Sequence, residues 1–217
     1  MPIGALLISE PSLIPIWFYS YSAVVYSLSA VISFIISFFA FRFYKTSSVK
    51  LNLFILFGFL MLGLAFSALT LTSLYTYFYK PYFETFHNLS HINKIGFNFY
   101  YLASLVAYLL FLIMYLPKNL TKKLFVLYVP LWYIHLPNFH IVSIFLLVCM
   151  AIKNMTNFYK KKNLNSFLVM FAFIAMGSFH LLLLLASFNV ELYLFAHIIL
   201  TIGFASFLMM LIRVSKR

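Results

Sequence analysis

The sequence predicts an all-α protein, a bundle of seven membrane-spanning helices with its amino terminus outside and its carboxyl terminus in the cytoplasm. Three observations predict it. Hydrophobic residues make up 65% of the chain and charged residues 8%, with a mean hydropathy of +1.04, whereas a soluble domain is about 25% charged. The apolar residues fall in runs of about 20, the length that crosses a hydrocarbon core. The basic residues sit in short blocks between those runs, on alternate sides, as the positive-inside rule requires.

Read in order, the spans cover about 14–41, 51–79, 96–116, 120–137, 139–158, 165–188 and 192–213. Arg42, Lys45 and Lys50 follow the first span, and Lys118, Lys122 and Lys123 the third. Lys153 and Lys160 to Lys162 close the fifth, and Arg213, Lys216 and Arg217 the seventh. Only Lys80 and Lys94 fall on the other side. The fourth and fifth spans are short and hold Pro130 and Pro137. One broken helix there would put Lys160 to Lys162 and the carboxyl-terminal basic residues on opposite sides. Pro137 is therefore read as the turn of a helical hairpin. The start, "MPIGALLISEPSLIPIW", has no basic residue before Arg42, so the first span reads as retained rather than as a cleaved signal. The whole chain, residues 1–217, reads as one transmembrane domain with no soluble part and no internal repeat.

A net charge of +12 would suggest nucleic acid in a soluble protein. Here a membrane surface accounts for it, so the expected partners are the bilayer of the cell membrane, with its anionic inner-leaflet lipids, and other membrane subunits. Cys149 is the single cysteine, which excludes a disulfide framework and a Cys-based metal site. Ser29, Ser33 and Ser37, and Gly63 with Ser67, make small-xxx-small steps that bring helices close. Ten tyrosines, among them Tyr19, Tyr79, Tyr100, Tyr101 and Tyr193, map near the outer face and read as an interfacial belt.

All six histidines map to the outer side. His87 and His91 precede the third span, His135 and His140 flank the Pro137 turn, and His180 and His197 lie inside apolar helices. At 1.5 Å per residue, His180 and His197 stand about 22 and 24 Å from the inner ends of their helices, so they are level. Ionisable groups at such depth are functional candidates by default; the bland alternative is that each is satisfied by a hydrogen bond to a neighbouring helix. Haem b needs axial histidines in an apolar slot, for which His180 and His197 come first and His91 and His140 next. Helices joined by a short loop pack about 8–10 Å apart, which is tight for a haem between His180 and His197; pairing with His91 or His140 is easier. Glu84, His87 and His91 share one helical face and offer a transition-metal site of imidazole and carboxylate. The spacing is not that of a zinc-protease helix.

Three function classes are disfavoured. No lysine lies between Leu192 and Ile212 to hold a retinal Schiff base. No acid lies near the midplane for proton-coupled transport. No pair of matched broken helices marks a transporter of that kind. The expected function is a redox-linked membrane subunit, a possible oxidoreductase component, binding haem b or a transition metal near the outer face and handling quinol or passing electrons. The alternative is a cofactor-free structural or accessory subunit of a membrane complex.

Overall fold

The structure, a computed structural model, describes residues 15–79, 86–115, 118–186, 189 and 191–215, with the side chains of 86–90, 118–137, 161 and 215 excepted. The described residues are helical apart from short turns. The helices are α1 (Ile16–Ser47), α2 (Leu51–Tyr79), α3 (Phe86–Ile113), α4 (Lys118–Lys161), α5 (Leu164–Leu185) and α6 (Glu191–Ser215). Each contains a stretch of at least 22 residues apolar enough to cross a membrane; in α4 it is Asn138–Lys160. The protein is a multi-pass membrane protein by that measure. Its outer surface fits, with Trp17, Phe38, Leu71 and Phe145 all exposed where only lipid would stabilise them.

Two hairpin turns need left-handed backbone. Ser48 ends α1 at φ 52° and Lys162 ends α4 at φ 44°, so that each chain reverses within a few residues. Asn163 caps α5, its side chain accepting a bond from the Asn165 N–H at 3.0 Å, which satisfies a donor the helix leaves free.

Side-chain contacts fix the helix directions. Ser37 donates to the Leu56 carbonyl and Thr76 to Asn93, so α1, α2 and α3 alternate. Phe158 meets Phe167, and Phe173 meets Phe207, so the end of α4, α5 and α6 alternate too. The seams between these two groups run differently. Tyr101 stacks on Phe139 at 4.2 Å and Tyr115 bonds Asn154, so α3 and Asn138–Lys160 run parallel. Phe18 packs on Tyr193 and Tyr26 bonds His197, so α1 and α6 are parallel as well. The result is a closed ring of two three-helix halves with the same order of directions. The sequence carries no visible repeat, but the helix directions repeat.

One end of the bundle carries Ser47, Lys50, Tyr115, Lys160 and Arg213; this is the basic end. The other carries Ile16, Tyr79, His91, Asn138 and Glu191; this is the histidine end. The expected hairpin at Pro137 is replaced by a single helical run, Lys118–Lys161. As one straight rod, that run would be about 66 Å long and would place Lys118 about 30 Å beyond Asn138. Tyr115, only three residues before Lys118, lies instead beside Asn154. The run therefore bends, and its prolines, Pro130 and Pro137, are where an interior helix bond is already missing. Residues 116–137 join the basic end of α3 to the histidine end of Asn138–Lys160.

Candidate functional site

Two polar clusters and one cavity stand out in an otherwise apolar interior. The first cluster joins three helices. His180 on α5 is fully buried; its Nε2 is 3.0 Å from the Tyr108 hydroxyl of α3, and its Nδ1 is 3.0 Å from Nδ1 of His140 on α4. Neutral rings satisfy this line in either direction, since each imidazole offers one N–H and one lone pair. Phe139 and Phe179 pack edge-on against the His180 ring.

The second cluster closes the other seam. His197 on α6 is fully buried. Its Nδ1 lies 2.7 Å from the Tyr193 carbonyl, which can only accept, so Nδ1 carries the proton. Nε2 is then a lone pair and accepts from the Tyr26 hydroxyl of α1 at 2.9 Å. The Tyr193 hydroxyl is 3.5 Å from that of Tyr26.

One further pair bonds side chains across the seams. The Asn154 amide donates to the Tyr115 hydroxyl at 2.9 Å. In each case a tyrosine of the first half meets a histidine, tyrosine or asparagine of the second.

The cavity opens at the basic end, on the axis between the halves, with a volume of about 500 Å³. All six helices line it. Ser47, Asn52, Tyr115, Asn154, Asn165 and Ser166 provide polar atoms, and Phe59, Phe111, Phe173 and Phe207 form its apolar depth. Among the described residues no charged side chain belongs to this lining. The volume suits a small ligand, and a mostly apolar wall with a few polar groups is how such sites are built.

The predicted site residues are distributed as follows. His140 and His180 meet directly. His180 and His197 do not face each other, because each bonds across a different seam, although Phe179 packs against both rings. Both ring nitrogens of each are hydrogen-bonded, so ligating a metal or haem iron requires releasing one bond. His91 is exposed on α3. Glu84, and the side chains of His87 and His135, lie outside the described residues. Among the described residues no three His, Cys, Asp or Glu side chains gather as a metal site. Tyr100 is not part of an interfacial belt: it is 2% exposed, in the core. Tyr26, Tyr108 and Asn154, the partners that make the clusters, were not singled out by the sequence. A pattern was there for one of them, because Tyr100, Ser104 and Tyr108 fall at i, i+4 and i+8 on one helix face. Compared with protein-family models, with curated proteins and with solved structures, the chain gives no match.

Proposed function

We propose that this protein is a cofactor-free carrier or receptor of the cell membrane that takes up a small, uncharged molecule in the cavity between its two halves. The observation that carries this reading is the cavity itself, which all six helices line at the axis of two like-directed three-helix halves. Parallel repeats about an axis along the membrane normal, with the ligand at their interface, are one general plan of membrane carriers. The seams suit motion. They are joined by a few Tyr–His and Tyr–Asn bonds, and hydrogen bonds in membranes contribute only about 0.6 kcal/mol each on average.

In this reading the chain crosses the membrane seven times. Residues 116–137 are the additional crossing, which the parallel course of α3 and Asn138–Lys160 supports. The basic end faces the cytoplasm, in keeping with the positive-inside rule, and its lysines and arginines meet anionic lipids there.

Spin labels at Leu51→Cys and Leu164→Cys, in a Cys149→Ala background, would sit across the cavity mouth on α2 and α5. Their distance distribution in lipid should contain two populations, for an open and a closed mouth. A single narrow distance would overturn the carrier reading.

One observation favours a second reading. The Nδ1 atoms of His140 and His180 face each other at 3.0 Å, an arrangement that two ligands of one transition metal also adopt. Such a site would serve the redox role. Elemental analysis and a reduced-minus-oxidised spectrum of the purified protein decide it: stoichiometric metal or a haem band, lost in His180→Ala, supports this role, and a colourless metal-free protein removes it.

A further inference from the structure

Serines and threonines inside membrane helices commonly donate to the carbonyl four residues back. Here Ser22, Ser29, Ser33, Thr72 and Ser206 all do so, at 2.8–2.9 Å. Ser104 and Ser143 do not. Both are fully buried, and their hydroxyls make no well-formed hydrogen bond among the described residues. The Tyr100 hydroxyl shares that condition and lies toward the Ser104 hydroxyl. A buried hydroxyl without a bond is destabilising, and the carbonyl that would spare the cost lies one turn away on each serine's own helix.

The helix register sets the three residues at one level of the α3–α4 seam. Tyr115 pairs with Asn154 across the α3–α4 seam, an offset of 39 residues. Tyr101 and His140, whose rings are 6.0 Å apart, share it (140 − 101 = 39). The same offset sets Ser104 level with Ser143 (143 − 104 = 39), and Tyr100 is one turn from Ser104 on α3. His140 stands one turn from Ser143 on α4. Toward the basic end, Phe111, Leu147 and Met150, all buried, separate this place from the cavity.

We propose that Tyr100, Ser104 and Ser143 form a binding site for buried water between α3 and α4. A buried water makes about three hydrogen bonds to groups that would otherwise lack them, and three such groups are offered here. The water continues the line of Tyr108, His180 and His140 along the seam. It also gives the two halves a joint that tolerates sliding, because a bridging water can reorient where a direct bond would break. This inference does not depend on what occupies the cavity.

The test uses the full-length protein in lipid nanodiscs. Hydroxyl radicals generated by an X-ray pulse label side chains beside bound water even when bulk solvent is excluded. Tyr100 should be labelled above the level of Phe66, an equally buried ring, and Ser104→Ala/Ser143→Ala should remove the difference. Each single Ser→Ala substitution should lower Tm, with the double variant falling by less than the sum. Tyr100 labelling at the Phe66 level overturns the proposal, as does a Tm raised by each alanine, the behaviour of a dry and unpaired hydroxyl. A direct Ser104–Ser143 bond would couple the serines in Tm but leave Tyr100 unlabelled, and so counts against the water.

Discussion

At the scale of single residues, the interior histidines are held by hydrogen bonds whose direction can be assigned. His197 donates through Nδ1 to a carbonyl and accepts through Nε2 from Tyr26. Tyr26→Phe keeps the ring and removes only the donor. It should lower stability by about 1 kcal/mol, within the range seen for such bonds in membranes, and His197→Phe in the Tyr26→Phe background should cost less than in the wild type. A double-mutant cycle measured by unfolding in mixed micelles checks this; additive costs would mean that the bond contributes nothing. Much of this site was legible only in part. The sequence places His180 and His197 at one depth, because depth is a matter of counting along a helix. It does not reveal that His180 meets His140 and Tyr108, because that depends on which helices become neighbours. Tyr100 lies in the core rather than at the interface for a related reason. A tyrosine near a helix end satisfies an interface or a core equally well, and only rotation about the helix axis distinguishes the two.

At the scale of helices, composition alone made most of the fold readable. Apolar length defines a span locally, and α2 was expected and found at the same bounds, 51–79. Ends failed where capping or turns decide them. α1 continues past Arg42 to Ser47 because Ser48 adopts the left-handed turn. Close packing also follows the small residues. A Cβ added at Gly203 would lie 3.1 Å from the Ala175 Cβ, so α5 and α6 approach as near as glycine permits. The run 118–161 was the hardest to read, since Pro130 and Pro137 are compatible with a hairpin or a bent helix. The direction of each element is testable. With Cys149 replaced by alanine, single cysteines at Asn138 and Asn189 should react with a membrane-impermeant maleimide on intact cells. Cysteines at Ser48 and Asn119 should react only after the membrane is opened. Reaction of Asn119→Cys from outside would mean that residues 116–137 do not cross.

At the scale of the molecule, the polar groups divide the bundle by depth. Histidines and tyrosines tie the seams toward the histidine end, and uncharged amides and hydroxyls line the cavity at the basic end. Rings of Phe66 and Phe204, and of Phe59 and Phe207, meet edge to face on the axis, and close the interior between the two levels. Among the described lining residues a ligand would find amide and hydroxyl partners but no charge to neutralise its own. The parallel seams have a consequence for how such a chain can be put together. A half with three helices starts on one side of the bilayer and finishes on the other, so a second copy cannot follow it by a loop; it must be reached by a return crossing. Were the gene cut after Tyr115 and resumed at Asn138, both fragments would insert the same way round with no linker, and the two halves would meet as separate chains rather than as one.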